Sequence, residues 1–286
     1  MMKKLLLLGL VLLSACASSE KKDQDSEEKM NSASASVATQ AAQGQPAPPV
    51  DKSLPEIRRE EKVSASQYTP LQDAIKQQND DAIQKVASEI LTQNSKDLNA
   101  LNALAMVNYK KSRFDSASYL LKKAIAAHPE SSEAYSNMGL VLIAQNERRE
   151  AIKELRKAIE LNANNGVAGA NLGSIYVQEK DYNKALLTLE IAVKNGQRDY
   201  KVMTNYAIAL SANGKSKEAA EIYEKLLKDN PGQKEVMLNY SILLIEDLNK
   251  NKEGLDLLNR LKFVGSSPET RDIIKQLEIK AKAGLQ

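Results

Sequence analysis

Apolar side chains after Tyr68 recur every three to four residues, and the whole pattern then repeats itself along the chain. Segments in the same register begin at Asn99, Glu133, Val167 and Lys201, each 34 residues after the one before. Each segment contains two amphipathic runs separated by a short polar stretch, which predicts two helices joined by a turn. A fixed period of this length is typical of helical arrays in which neighbouring units stack on one another. The pattern therefore predicts an all-α body.

Small residues occupy matching positions in both helices of each segment, when units are counted from residues 98, 132, 166, 200 and 234. They stand at the eighth position (Ala105, Gly139, Gly173, Ala207, Ser241), at the twentieth (Ala117, Ala151, Ala185, Ala219) and at the twenty-seventh (Ala124, Ala158, Ala192). Helices approach closely only where both faces carry small side chains. These positions therefore predict where the two helices of a unit meet.

The register and the small residues resemble the tetratricopeptide repeat, a helix–turn–helix unit of 34 residues. The resemblance implies a right-handed α–α superhelix, or solenoid, over residues 68–286 with about six units and a capping helix at its C-terminal end. The units are a degenerate one at 69–95, repeats at 98–131, 132–165, 166–199, 200–233 and 234–267, and a cap at 268–282. The last repeat fits with one inserted residue and with Gly254 in place of alanine.

An asparagine recurs at the sixth position of four repeats, at Asn137, Asn171, Asn205 and Asn239, whereas Ala103 interrupts the series in the first. In the family that the chain resembles, the first helix of each unit lines a concave groove, which implies a row of amides along it. An amide has two donors and one acceptor, enough to bond both polar groups of an extended peptide. The row resembles the asparagine ladder that binds peptide backbone in the tetratricopeptide domain of O-linked N-acetylglucosamine transferase. The alternative interpretation is that these amides bond polar groups of neighbouring helices.

Apolar side chains at the ninth and twelfth positions flank the predicted amide row. They include Tyr109, Ile143, Val177, Ile208 and Ile242. Such a surface suits an extended or helical partner segment with apolar anchors, although a role in packing alone is the alternative. The carboxylate clamp of chaperone-binding relatives is not matched, because only Lys201 stands at one of its positions.

The first residues predict a lipoprotein leader at 1–15. Two lysines precede the apolar run Leu5–Leu13, which is about half as long as a membrane-spanning helix. The run ends in LSAC, which resembles the lipobox of bacterial lipoproteins. The resemblance implies cleavage before Cys16 and lipidation of that cysteine. Because Ala17 rather than aspartate follows, it also implies the outer membrane, on the periplasmic side. The alternative is an ordinary secretory signal that ends in a cysteine by chance.

Residues 16–67 predict a disordered tether after the lipidated cysteine. Ser, Ala, Gln, Lys, Glu and Pro dominate this stretch, and large apolar side chains are rare. Such a composition does not bury enough surface to offset the entropy of ordering the chain. The tether would let the repeats act away from the membrane, or it is a spacer with no other role.

Composition argues against several classes of function. The net charge is +3, there is one histidine, and Cys16 is the only cysteine. No basic domain, metal-ligand cluster, nucleophile elbow or complete phosphate-binding loop stands out. We therefore expect no nucleic acid, metal, cofactor or small-molecule substrate.

These features together predict a non-catalytic scaffold that is anchored to the outer membrane and binds a protein partner in its groove. A lipobox followed by about six repeats resembles the lipoprotein pilotins of type IV pili, which help secretin subunits reach and assemble in the outer membrane. One alternative is an adaptor for a motility complex or for peptidoglycan hydrolases. Another is an enzyme, or the recognition subunit of one, although the repeats leave little chain for a catalytic domain.

Overall fold

The computed structural model describes residues 65–286, which contain thirteen helices and no strands. The predicted leader, Cys16 and nearly all of the predicted tether lie outside the described residues and stay predictions. The helices are α1 Ala65–Lys76, α2 Asp80–Gln93, α3 Leu98–Lys110, α4 Phe114–Ala127, α5 Ser132–Ala144, α6 Arg148–Leu161, α7 Gly166–Gln178, α8 Tyr182–Lys194, α9 Tyr200–Ala212, α10 Ser216–Asp229, α11 Lys234–Glu246, α12 Asn251–Val264 and α13 Pro268–Ala283.

The helices pair in chain order, which confirms the predicted all-α repeat solenoid. We call the odd-numbered helices α1 to α11 the A helices and the even-numbered helices α2 to α12 the B helices. Each B helix packs both on the A helix before it and on the helix that follows it. The last helix, α13, packs on α11 and α12. Apolar surface is thus buried by stacking one unit on the next.

The small residues at the eighth position allow the A and B helices of a unit to approach each other. A Cβ atom at Gly173 would lie 2.4 Å from Cγ of Leu189, and one at Gly139 would lie 2.5 Å from Cγ of Leu155. Both leucines are fully buried. The glycines therefore leave the space that a buried leucine of the partner helix fills.

One turn geometry joins the two helices in the first four 34-residue repeats. A residue with positive φ follows each A helix, namely Ser112, Asn146, Lys180 and Gly214. The backbone N–H of the next residue then donates to a carbonyl five residues back, as from Glu147 to Leu142 at 2.9 Å. This is the Schellman arrangement, which satisfies a free carbonyl at the end of a helix. In the last repeat the corresponding bond spans six residues, from Lys250 to Leu244, because that turn is one residue longer.

The degenerate first unit packs on the rest of the stack. Leu71 of α1 and Ile83 and Ile90 of α2 are buried in one cluster with Ala100 and Val107 of α3. The first helix pair thus covers the apolar surface that the first full repeat presents. This matters for the site, because α1 forms a wall of the pocket at the N-terminal end of the groove that is described below.

Asp181 caps the N-terminus of α8, and we expect Asp181→Ala to lower the free energy of unfolding by about 1 kcal/mol at pH 7. Its Oδ1 accepts the Lys184 backbone N–H at 3.3 Å, and its Oδ2 accepts Lys184 Nζ at 2.6 Å. The hydrogen bond from the Lys184 side chain lowers the pKa of Asp181. Urea unfolding of both proteins at neutral and acidic pH measures the effect.

The pH dependence of the cap follows from the lowered pKa. A carboxyl group with a depressed folded pKa stabilises the protein above its unfolded pKa of about 4, and this contribution is lost as the pH falls through the folded value. The difference between the wild type and Asp181→Ala should therefore shrink in acid. Asp181→Asn, which keeps an accepting oxygen, is the control and should lose less stability at pH 7. A difference that does not change with pH would contradict a role for the charged cap.

Candidate peptide-binding groove

The A helices line the inner side of the stack. Contacts join α3 to α5, α5 to α7, α7 to α9 and α9 to α11, whereas no comparable contact joins successive B helices in the described range. Elements on the inner side of a curved stack approach one another more closely than those on the outer side. The expectation that the first helix of each unit faces the groove therefore agrees with the packing.

Four positions of each A helix, the second, sixth, ninth and thirteenth of the unit, share one helical face, which we call the groove stripe. Their spacing of four, three and four residues brings side chains to the same side of a helix. In the third repeat the stripe consists of Val167, Asn171, Ser174 and Gln178, and each of them is at least partly exposed. The predicted amide row lies on this stripe.

The four predicted asparagines are half-buried, and their amides are free to bond a ligand. Within residues 65–286 no side-chain hydrogen bond engages Asn137, Asn171, Asn205 or Asn239. Asparagines elsewhere behave differently. Asn165 Nδ2, for example, donates to Oγ of Ser132 at 2.8 Å. The groove amides are accordingly not used to bond neighbouring helices in the described fold.

The apolar side chains predicted to flank the amide row are less exposed than the sequence predicts. Val177, Ile208 and Ile242 are buried, with 4%, 6% and 7% of their surface exposed, and belong to the main core cluster. They fill space within the packed core, so they present little surface to a ligand. Ile143 does remain exposed at 37%. Tyr109 is half-buried beside Phe114, with ring centroids 5.8 Å apart.

A depression of about 100 Å³ lies on the groove between α5 and α7. Asn171 and Ser174 of the stripe line it, together with Ile143 of the preceding A helix. Arg148 Nη2 donates to Oε1 of Gln178 at 3.1 Å and closes one side. An amide and an exposed isoleucine therefore face the same small cavity.

A larger pocket of about 330 Å³ opens at the N-terminal end of the groove, where Ala103 interrupts the amide row. Side chains of α1 and α3 form most of its walls, with Ile83 of α2 and Glu133 of α5 completing them. The Tyr68 hydroxyl donates to Oδ2 of Asp97, the residue that caps α3. Desolvation, with this bond and the nearby charge, raises the pKa of Tyr68 to about 12. The bond ties α1 to α3 beside the pocket.

Asn102 lines this pocket and was not among the residues predicted for the groove. It stands at the fifth position of its unit, where the other repeats have Ser136, Ala170, Thr204 and Leu238. It is 3% exposed, and both polar atoms of its amide are buried without a hydrogen-bond partner. No repeat-wide pattern marks it, so the sequence offers no signal for its burial.

Charge along the groove is mixed rather than strongly of one sign. At the second position of the unit, the stripe carries Glu133, Lys201 and Glu235 in three of the repeats. Desolvation raises the pKa of Glu235, and the nearby Lys201 opposes that shift. This arrangement does not favour a strongly charged ligand.

Two further features bear on the chemistry of the described residues. No cluster of three or more His, Cys, Asp or Glu side chains among them is arranged to hold a metal ion. None of the described helices combines the length and the apolar character that crossing a membrane requires.

Comparison with known proteins identifies the repeat directly. The family profile described as tetratricopeptide repeat matches residues 63–231. The structure of YrrB, described as a TPR protein with an unusual peptide-binding site, is similar with a TM-score of 0.57 and 19% identity, over 69% of this chain and 97% of that one. No curated protein matches the chain.

Two other solved structures share the fold. PilF of Pseudomonas aeruginosa is similar with a TM-score of 0.50 and 21% identity, over 65% of this chain and 88% of that one. MamA 41-end from Desulfovibrio magneticus RS-1 is similar with a TM-score of 0.50 and 16% identity, over 58% of this chain and 94% of that one. At these identities the likeness concerns the fold alone.

Proposed function

Because the chain belongs to the tetratricopeptide repeat family, we propose that it is a non-catalytic scaffold that holds an extended segment of a partner protein against its groove stripe. Proteins of this family generally act as scaffolds that bind other proteins. Binding of this kind positions the partner and requires no covalent step. The groove is the surface on which the repeated polar side chains converge.

The row of unbonded amides is the observation that carries the proposal. Asn137, Asn171, Asn205 and Asn239 recur once per unit on the same helical face and have no side-chain partner within residues 65–286. An extended peptide presents backbone donors and acceptors at regular intervals, which such a row bonds without reading side chains. The described peptide-binding site of YrrB, which has the same fold, supports peptide as the class of ligand.

A lipid anchor is part of the proposed function. LSAC at residues 13–16 and the single cysteine support lipidation at Cys16 and attachment to the periplasmic side of the outer membrane. Two or more acyl chains hold a protein stably on a bilayer, because each buried methylene contributes about 0.8 kcal/mol. The scaffold would then act on partners within the envelope.

The partner that we propose belongs to an envelope assembly, and a secretin of a type IV pilus is the leading candidate. The order of leader, tether and repeats, which resembles the pilotin layout, supports this candidate. A deletion strain tests it: loss of secretin multimers from the outer membrane would support the pilotin role. Normal multimers would favour an adaptor for a motility complex or for peptidoglycan hydrolases.

Photocrosslinking in living cells tests whether the groove is the binding surface. A photoreactive residue replaces Ser174, which lies on the stripe and is partly exposed. The matched control replaces Leu187, which lies on α8 and is 65% exposed. A discrete adduct from position 174 alone is expected, and mass spectrometry then identifies the partner. Adducts from position 187 alone would place binding on the outer helices and contradict the proposal.

Removing two groove amides should weaken partner binding without affecting the fold. We expect Asn171→Ala with Asn205→Ala to weaken binding of the identified partner segment about 10- to 100-fold, since each hydrogen bond contributes about 1 kcal/mol. Helical content should stay unchanged, because neither amide is bonded within the described residues. Isothermal titration calorimetry measures affinity, and circular dichroism measures helicity.

The control for this pair replaces two asparagines of the outer helices, Asn183→Ala with Asn259→Ala. Both lie on B helices and are exposed. Their loss should leave affinity unchanged. Equal affinity of the groove variant and the wild type would mean that the amide row does not bind the partner.

A further inference from the structure

Arg148 is a half-buried arginine beside the groove stripe that pairs with no carboxylate of residues 65–286. It begins α6 and lines the depression between α5 and α7. Its one side-chain hydrogen bond in that range runs from Nη2 to Oε1 of Gln178, a neutral amide, at 3.1 Å. A guanidinium presents five N–H donors in a fork that matches a carboxylate. Most of the donors of Arg148 are therefore free for a ligand.

The side chains around Arg148 offer further donors to the same depression. Because a guanidinium has donors only, the amide oxygen of Gln178 must face it, which leaves Nε2 of Gln178 for a ligand. The hydroxyl of Ser174 also lines the depression and has no hydrogen bond within the described residues. None of these groups belongs to the described side-chain atoms that are buried without a partner, so all of them are accessible to a ligand.

Arg148 and Ser174 both depart from the repeat pattern. The ninth position carries an apolar side chain in every other full repeat, namely Met106, Leu140, Ile208 and Ile242. The B helices of the other full repeats begin at an uncharged residue, namely Phe114, Tyr182, Ser216 and Asn251. Arg148 comes from the second repeat and Ser174 from the third, yet they line the same depression. The small serine leaves the depression open, and the guanidinium supplies its charge.

We propose that this depression is an acidic-residue site of the groove, which takes the carboxylate of one glutamate or aspartate within the extended partner segment. Arg148, Nε2 of Gln178 and the hydroxyl of Ser174 donate to the carboxylate. The methylene groups of the acidic side chain lie against Ile143, which is 37% exposed and lines the same depression. This inference rests on the proposed function for the peptide that carries the acid. The amide row holds backbone of any sequence, whereas this site selects a residue.

The charge in the depression fits a single carboxylate. Arg148 is the one charged residue among the described residues that line it. A phosphate group carries nearly two charges at neutral pH and is best held by a cluster of arginines. A hydrogen bond between ionised groups is about twice as strong as one between neutral groups, so the site should distinguish glutamate from glutamine. The stripe continues on both sides of the depression, so the acidic residue lies inside the segment rather than at its C-terminus.

Nuclear magnetic resonance titration of the full chain with two blocked pentapeptides tests the site. One probe has a glutamate at its centre and alanine elsewhere, and the other has a glutamine in place of the glutamate. Both are acetylated and amidated, so they differ in charge only at the central side chain. We expect saturable shifts of the Arg148 Nε–H signal and the Ser174 amide signal with the glutamate probe. Its affinity should be about tenfold above that of the glutamine probe, and the difference should shrink at high salt.

Three variants separate binding from folding. Arg148→Gln should lower the affinity for the glutamate probe to that for the glutamine probe. The matched control, Arg149→Gln, removes the same charge from an exposed residue of α6 that does not line the depression, and it should leave both affinities unchanged. Arg148→Glu should reverse the preference, so that a probe with a central lysine binds about tenfold more tightly than the glutamate probe. An arginine that only links α6 to α7 would change the unfolding temperature of its variants and leave the probe preference as it is.

Four outcomes would overturn the acidic site. These are the absence of saturable shifts with the glutamate probe, equal affinity of the wild type for the two probes, an unchanged preference in Arg148→Gln, and tighter binding of inorganic phosphate than of the glutamate probe at the same residues. The last would mean a general anion site.

Failure of the acidic site and failure of the groove are distinguishable. Asn171→Ala with Asn205→Ala should weaken both probes by a similar factor and keep the preference for glutamate, because the row bonds backbone. Unchanged binding of both probes by that pair would count against the row alone. The photoreactive residue at position 174 is larger than serine and occupies the depression, so photocrosslinking reports on the backbone contacts of the row.

Discussion

Gly169→Val is expected to lower the stability of the repeat stack by about 3 kcal/mol, toward the upper end of the usual cost of overpacking. A Cβ atom at Gly169 would lie 2.7 Å from the backbone oxygen of Thr188 and 3.1 Å from the backbone nitrogen of Ala192. Both atoms belong to the backbone of α8. A side chain can rotate away from a clash, but a helix backbone cannot, so α7 and α8 would have to separate.

The position is specific to the third repeat. The fourth residue of the other full repeats is large, at Leu101, Tyr135, Met203 and Met237, so a glycine facing the backbone of the next helix at this position occurs in the third repeat only. The stability of a repeat array is approximately the sum of the stabilities of the single repeats and of the interfaces between neighbours. The loss of stability should therefore be centred on these two helices. Hydrogen exchange should show faster exchange in α7 and α8 than in the rest of the stack.

Thermal unfolding followed by circular dichroism measures the size of the effect. For a folded region of this length, a loss of about 3 kcal/mol lowers the midpoint by about 6 to 12 °C. The control is Gly232→Val in the loop before α11, where a Cβ atom would meet only Oδ1 of Asn230 at 3.9 Å. Its midpoint should stay near that of the wild type. If Gly169→Val and Gly232→Val unfolded at the same midpoint temperature, the close approach of α7 and α8 would not determine the stability of the stack.

Cys16→Ser is expected to have the largest effect in the cell. If the lipobox is read as proposed, the variant loses palmitate labelling, is not processed before residue 16, and disappears from the outer-membrane fraction. Burial of acyl chains in the bilayer contributes roughly 0.8 kcal/mol per methylene. A variant without acyl chains loses this binding free energy. Metabolic labelling with palmitate and separation of the two membranes measure both results.

Two companion variants make this test specific. Ser19→Ala lies outside the lipobox and should be labelled and localised like the wild type. Ala17→Asp should stay labelled but move to the inner membrane, as the sorting rule of bacterial lipoproteins implies. An unlabelled wild type that still sediments with the outer membrane would contradict the anchor and leave an ordinary secretory leader as the interpretation.

Much of the fold was predictable because the repeat imposes the same local constraints in every unit. A small residue is needed where the two helices of a unit approach most closely, so Gly139 and Gly173 mark contacts that the structure places against buried leucines. The inserted residue of the last repeat was visible from the register alone and appears as a longer turn before Lys250. Within each helix, the apolar residues recur every three to four positions, which is the spacing of one helical turn. This spacing therefore indicates which face of the helix packs.

The candidate site was predictable in part. The repeat predicts that Asn137 and its equivalents lie on one face. It does not predict how far the neighbouring side chains are buried. Ile208 and Val177 share the apolar character of Ile143, yet the first two are buried and the third is exposed. Which apolar side chain is covered depends on how two successive units are rotated against each other, and that rotation comes from contacts across the stack.

The sequence by itself thus determined the all-α repeat, the register of its units and the row of amides, because each follows from local spacing within one unit. Only the tertiary structure decided that those amides are unbonded, that Asn102 is buried without a partner and that a pocket of about 330 Å³ opens where Ala103 interrupts the row. Residues of α1, α2, α3 and α5 all line the pocket. Its walls come from residues more than 60 positions apart, between Tyr68 and Glu133, and no periodic pattern records a cavity that arises between units.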